Sequence, residues 1–181
     1  RRPNCEGCFF GPSRTRSGGR RSTGVRRGLD QTSAARLSLG SDLRLINSLI
    51  RNNVATASYP IGSGGGAYVS GAISITGTSF LSNRANVFGG GVFVGGAASI
   101  TGTSFRSNTA NSQGGAVYVA GTASVKETSF LNNTAGNSGG GAYVNGGATI
   151  TGTSFSSNTS NLSGGGAYVD GAATITGTSF L

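Results

Sequence analysis

The chain has no histidine, no methionine and no tryptophan, and only five of its 181 residues are acidic. Histidine is the side chain whose charge changes near neutral pH, and carboxylates are the usual alternative acids, bases and hard-metal ligands. Glu6, Asp30, Asp42, Glu127 and Asp170 make up the whole acidic inventory. Most hydrolytic and metal-dependent mechanisms are therefore disfavoured, no cofactor or metal is expected, and the chain reads as a non-enzyme. Three prolines and no Gly-X-Y period exclude collagen. The two cysteines, Cys5 and Cys8, form a Cys-x-x-Cys pair with no βαβ context for a redox role and no histidine to complete a zinc site. A Cys5–Cys8 disulfide in a secreted segment, or a remnant of a larger cysteine-bearing module upstream, is the expectation there. No run approaches the roughly 18 apolar residues of a membrane-spanning helix. No secretory leader pattern is visible and the first residue is Arg, which fits a processed or partial chain.

Against these shortages stand 34 glycines, near a fifth of the chain, where roughly 7% is usual. Apolar residues make up 35%, too many for an ordinary disordered chain. The net charge of +9 is unevenly placed: residues 1–60 carry +8 and residues 61–181 only +1. Residues 1–36 read as a basic arm rich in Gly, Ser and Arg, with Arg14, Arg16, Arg20, Arg21, Arg26 and Arg27 among its charges. A mobile leader or linker accounts for it, as does docking on acidic polysaccharide or an anionic neighbour. Nucleic acid is disfavoured because no aromatic interleaving or recognised module accompanies the charge.

Residues 37–181 carry a repeat, irregular over 37–63 and regular from Gly64 onward. Phe80, Phe105, Phe130, Phe155 and Phe180 stand 25 apart, as do Asn83, Asn108, Asn133 and Asn158. A weaker earlier copy places Ile50 and Asn53 in the phenylalanine and asparagine places, 30 residues before Phe80 and Asn83, so five extra residues belong near Tyr59–Pro60. Each copy holds three short runs of alternating apolar residues bounded by Gly or Asn, and helical periodicity is absent. An all-β parallel β-helix of about five to six coils follows, one coil per repeat. The period of two turns Val69, Ile73, Ile75, Thr78, Phe80 and their successors inward. The phenylalanines form a core ladder. The asparagines Asn53, Asn83, Asn108, Asn133 and Asn158 form a second ladder at a turn, where Asn tolerates a left-handed backbone and its amide reaches the same amide one coil away. The glycine triplet beginning at Gly64 supplies positive φ and close backbone approach.

Phe-x-x-Asn paired with Gly-Gly-Ala-apolar in repeats of this size resembles the polymorphic outer-membrane-protein repeat of chlamydial surface proteins. Phe80 to Asn83, Phe105 to Asn108, Phe130 to Asn133 and Phe155 to Asn158 carry one half of that motif; Gly65-Gly66-Ala67, Gly140-Gly141-Ala142 and Gly165-Gly166-Ala167 carry the other, and Gly90-Gly91 is followed by Val92 instead. The resemblance implies a right-handed parallel β-helix on the cell surface, often the passenger of an autotransporter, acting in adhesion. No barrel follows the repeats in this sequence, and the copies stop at Leu181 in mid-rung. That is expected to reflect a longer natural chain, lost order, or a neighbouring subunit that caps the end and builds a fibre.

Three outer features carry the functional expectations. Tyr68, Phe93, Tyr118, Tyr143 and Tyr168 share outward parity and form an aromatic stripe: rings stacked for stability, a docking patch of exposed aromatics, or a sugar-stacking track. Ser74 with Thr76, Ser99 with Thr101, Ser124 with Lys126, Thr149 with Thr151 and Thr174 with Thr176 form a row of hydroxyls that resembles the flat faces of ice-binding solenoids, interrupted by Lys126. Asn132, Asn158 and Asn161 begin Asn-x-Ser/Thr sequons; Asn161 and Asn132 are the glycosylation candidates, because Asn158 is committed to the ladder. The leading expectation is a non-enzymatic extracellular scaffold or adhesin, self-associating head-to-tail or laterally, or binding a cell-surface ligand or glycan. The alternatives are a polysaccharide-binding or polysaccharide-degrading β-helix and an ice-binding solenoid. Glu127 and Asp170 are not separated by a multiple of the repeat, so they belong to different faces and a paired-carboxylate mechanism has no pair.

Overall fold

The computed structural model describes the backbone of residues 4–6 and residues 43–59 and 62–181. Every described element is a β-strand, and every pairing between strands is parallel. One coil shows the plan. Val92–Val94, Ala98–Thr101, Ser104–Arg106 and Thr109–Ala110 follow one another around the axis, separated by corners of two to six residues. Each strand then pairs with its counterpart 25 residues earlier and later, Phe105 with Phe80 and Phe130 for example. The result is a β-solenoid with four strands per coil, one more than the three runs expected. The fourth, only two residues long, begins directly after the ladder asparagine. Its alternation is too short to be read from sequence.

Four parallel sheets therefore run along the axis. We refer to the five-stranded sheet holding Tyr68 and Tyr118 as the tyrosine sheet, and to the seven-stranded one holding Ile73–Thr76 as the long sheet. The six-stranded phenylalanine sheet holds Ser79–Leu81, and the five-stranded short sheet holds Arg84–Ala85. The irregular first coil joins in register at an offset of 30, Leu43 against Ile73 and Ile50 against Phe80. Its surplus residues fall between Val54–Ala55, which pair at the same offset, and Gly64. Asn4–Glu6 adds a further parallel strand beside Leu43–Ile46, with Cys5 opposite Leu45. Cys8 and the remainder of the basic segment, and so the disulfide expectation, lie outside the described residues.

The core is a narrow column in which like packs on like. Phe80, Phe105, Phe130 and Phe155 are at most 1% exposed, and successive rings stack with centroids 4.6 to 5.0 Å apart. Isoleucine or valine at Ile75, Ile100, Val125 and Ile150 fills the facing wall, with Val69, Val94, Val119 and Val144 beside it. Aligned strands bring identical side chains to the hydrogen-bonded spacing of about 4.8 Å, and that spacing suits stacked rings. Phe180 closes the ring column on the last coil and is 49% exposed.

The corners explain the glycines. Three left-handed residues occur per coil; in one coil they are Gly89 (φ 62), Gly102 (φ 56) and Ser107 (φ 54). At the triplet, Gly90 has no room for a side chain, because a Cβ there would come within 2.5 Å of the Thr109 carbonyl carbon. The ladder asparagines themselves are not left-handed, contrary to the expectation from their turn position. The positive φ falls one residue earlier, on Asn52, Ser82, Ser107, Asn132 and Ser157. The asparagine is needed one step later, where its side chain points inward, and the exposed residue before it accepts the turn.

Glu127 departs from the corner rule. Its counterparts are Gly77, Gly102, Gly152 and Gly177, with Asn47 in the first coil, yet it holds φ 50. A left-handed residue with a Cβ is strained by about 1–2 kcal/mol. The Lys126–Glu127 ion pair at 3.4 Å, exposed on both sides, offsets little of that. Glu127→Gly is expected to raise stability by about 1 kcal/mol, read as a higher denaturation midpoint; an unchanged or lower midpoint contradicts the strain at this corner.

Candidate functional surface

Inside the column, the five asparagines form one continuous amide chain. Asn83 Nδ2 donates to Asn108 Oδ1 at 3.0 Å and to the Ile50 carbonyl at 3.0 Å. Asn83 Oδ1 in turn accepts from the backbone N–H of Asn53 at 3.1 Å and from Asn53 Nδ2 at 3.0 Å. The same four bonds recur at Asn108 and Asn133, and Asn158 Nδ2 donates to the Phe130 carbonyl at 2.9 Å. Both donors and both acceptor sites of each inner amide are therefore used, which is why so polar a group can sit at 0–1% exposure. All the amides point the same way along the axis. A second inner polar row follows the threonines: Thr78, Thr103, Thr128 and Thr153 are buried, and each hydroxyl donates to the carbonyl two residues back. These interior rows bind the coils to one another and face no solvent. Function therefore belongs to the outer faces.

The aromatic stripe is present but differs from an exposed patch. Tyr68, Phe93, Tyr118, Tyr143 and Tyr168 stack in sequence with centroids 4.8, 5.2, 5.3 and 4.9 Å apart and rings within 12° of parallel. Parallel register sets them face to face at the coil spacing, so each ring covers its neighbours. Phe93 and Tyr143 fall to 7% and 9% exposure, and the other three are half-buried. Phe88, from the corner before Gly89, lies over the stripe at 4.7 Å from Tyr118, and Tyr59 packs edge-on against Phe88. A sugar track needs open ring faces, and here the neighbouring rings occupy them. Of the three readings of the stripe, the stacked rings are the arrangement seen, with neighbouring rings covering one another's faces. The covering role of Phe88 was not readable from sequence, since it falls at a place held by Gln113 in the next copy.

The hydroxyl row stands outward on the long sheet in straight register, Ser74–Ser99–Ser124–Thr149–Thr174 and Thr76–Thr101–Lys126–Thr151–Thr176. Lys126 breaks it in the middle coil and pairs with Glu127. Asp170 follows the tyrosine sheet at another corner, apart from Glu127. No cluster of three or more His, Cys, Asp or Glu occurs among the described residues, and none of their elements is a helix long and apolar enough to cross a membrane. Asn132 and Asn161 are exposed, Asn132 in a left-handed corner with φ 55, whereas the amide of Asn158 is held in the ladder. Sequence reading missed a further exposed network in which Arg84 donates to Asn111 and Asn111 donates to Asn86.

Parallel four-strand coils, a closed amide ladder and variable outward places define a tandem-repeat β-solenoid whose outside is free to specialise. Its repeat is similar to that of a known family: residues 102–120, which contain Phe105 to Asn108 and Gly114 to Val117, match the family model of the Chlamydia polymorphic membrane protein repeat. No curated protein and no solved structure matches the chain.

The tyrosine stack is expected to make the solenoid sensitive to alkali. Burial, followed by the neighbouring phenol of Tyr143, pushes Tyr118 above its ordinary value; burial and then the Asp170 carboxylate push Tyr143 the same way. A phenol whose folded pKa is raised contributes stability below its unfolded value of about 10, and that contribution is lost as pH climbs through the folded value. The denaturation midpoint should therefore fall above about pH 10, and Tyr118→Phe with Tyr143→Phe should lessen that fall. An alkaline limb that the double variant leaves unchanged contradicts the assignment.

Proposed function

We propose that the chain is a non-enzymatic, extracellular β-solenoid that serves as a structural and adhesive scaffold at the cell surface. The observation that carries this reading is the division of labour within each coil. Inward places hold the same residue types coil after coil, while outward places vary, as at Ser70, Gly95, Ala120, Asn145 and Asp170. Such a rod displays side chains at fixed intervals and tolerates their exchange, which is what a surface protein that contacts varied partners requires. The likeness of its repeat to one from surface proteins supports the same location. Among the described side chains the two carboxylates, Glu127 and Asp170, stand at separate corners, which is not the paired arrangement of a polysaccharide-cleaving site.

Antibody raised against the coils should label intact cells of the source organism without permeabilisation, and beads coated with the protein should adhere to those cells or to their partners. Labelling that appears only after permeabilisation contradicts the location. Release of new reducing or unsaturated ends from acidic polysaccharides by the purified protein contradicts the non-enzymatic reading.

A further inference from the structure

With no tryptophan, methionine or histidine in the chain, its five tyrosines are, beside Cys5 and Cys8, the side chains most open to oxidation. All five belong to one run of ring contacts. Tyr68, Phe93, Tyr118, Tyr143 and Tyr168 stack along the axis, and Phe88, 4.7 Å from Tyr118, carries the run sideways to Tyr59, whose ring meets it edge-on at 5.8 Å. The ends of that branch differ in their surroundings. Tyr143 is 9% exposed and Tyr118 half-buried, whereas Tyr59 is 65% exposed, the most open aromatic ring among the described residues. Its exposure has a structural cause. Two consecutive residues of the next coil, Asn86 and Val87, donate their backbone N–H groups to the carbonyls of Ala55 and Gly62. The chain between those two carbonyls is therefore looped out from the ladder, and Tyr59 lies in the middle of that loop with no counterpart to stack on it.

We propose that Tyr59 is a site of oxidative phenol coupling, at which hydrogen peroxide and a haem peroxidase join two copies of the chain by a carbon–carbon bond. Each Tyr59 phenol gives up one electron and its phenolic proton. The two phenoxyl radicals bond at ring carbons ortho to the oxygens, and the hydrogen on each of those carbons moves to the oxygen, which restores both aromatic rings. Two phenols and one peroxide thus yield one coupled pair and two waters. Near neutral pH the electron leaves only if the proton leaves with it, and the stack hinders that step. Burial, then the phenols of Tyr143 and Tyr59, hold the Tyr118 proton more tightly than usual; burial and then Asp170 do the same at Tyr143. Tyr59 hands its proton directly to water. Ring contacts let an electron vacancy formed in the stack be filled from the next phenol, so the vacancy comes to rest where the proton can escape. Coupling also needs open ortho carbons, which a looped-out ring presents and a ring covered on both faces does not. Nothing in this chemistry depends on the scaffold reading.

The test treats the full chain, its two cysteines alkylated beforehand, with hydrogen peroxide and a haem peroxidase. Products are followed by denaturing gel, by dityrosine fluorescence and by mass spectrometry of the linked peptides, with thermal midpoints checking that each variant folds. A covalent dimer linked from Tyr59 to Tyr59 is expected. Tyr59→Phe should lose most of that dimer, whereas Tyr68→Phe with Tyr168→Phe, which removes the two half-buried phenols at the ends of the stack, should keep it. Phe88→Ser installs the residue that stands at the same place as Ser63, Ser138 and Ser163 and cuts the ring path while leaving Tyr59 in its loop. Oxidised Tyr118 and Tyr143 should then accumulate. A Tyr59→Phe chain that couples as well as the unaltered one, links that lie mainly at other tyrosines, or the absence of any dimer overturns the proposal. Unchanged oxidation of Tyr118 and Tyr143 in Phe88→Ser overturns the path that feeds Tyr59.

Discussion

Each coil must return the chain to where it started, displaced along the axis by one backbone hydrogen bond. That closure condition governs the molecule. Parallel strands separated by a full turn can pair only if the turn has the right length, and 25 residues meet it repeatedly from Gly64 onward. Once the pitch is set, every side chain stands over its own counterpart at about 4.8 Å. That distance lets phenylalanines stack, amides join into a chain and tyrosines cover one another. None of these rows would be favourable out of register: an asparagine facing a phenylalanine would leave a buried amide without partners, at about 1–3 kcal/mol for each unmet group. The ladders therefore reinforce the pitch that creates them.

Closing a four-sided coil in so few residues needs sharp corners, and the corners account for the composition. Left-handed residues recur at three places per coil, and at the triplet the neighbouring coil's backbone fills the space where a side chain would be. Glycine therefore accumulates where the chain turns and stays out of the strands. The first coil closes with five residues more, through the segment around Tyr59. Its strands still enter the same sheets, because the surplus bulges from a corner and leaves strand register intact.

Much of this was legible in the sequence because the period exposes it. The phenylalanine and asparagine places, the inward parity of Val69, Ile75 and Thr78, and the coil count all follow from spacing alone. What escaped depends on geometry between neighbours in space. The left-handed turn lies on Ser82, Ser107 and Ser157, residues with no strong turn signature, because the adjacent asparagine is required by the amide chain. The two-residue fourth strand is too short to show a period. The aromatic stripe was legible by parity, but its burial was not, since ring covering ring and the placement of Phe88 emerge only once the coils are stacked. Apart from the hydroxyl row of the long sheet, the polar outer places carry little period-bound signal, which is the reason the fold is clearer from sequence than the function.

The central claim is that the 25-residue coil is the unit of structure and that register between coils, more than any single contact, holds the rod together. It is tested most directly by deleting one complete coil, residues 102–126, and comparing it with a deletion that is one residue shorter, residues 102–125, by circular dichroism and thermal melting. The account predicts that the complete-coil deletion keeps β-sheet signal and a cooperative transition, because Thr101 then runs into Glu127 at the equivalent corner. The shorter deletion leaves a surplus residue at the two-residue corner before Ser129, which, unlike the long corner that takes up the first coil's surplus, has no loop to absorb it, so inward residues are displaced by one place and cooperative unfolding should be lost. Equal tolerance of both deletions, or collapse of the complete-coil deletion alone, would contradict it.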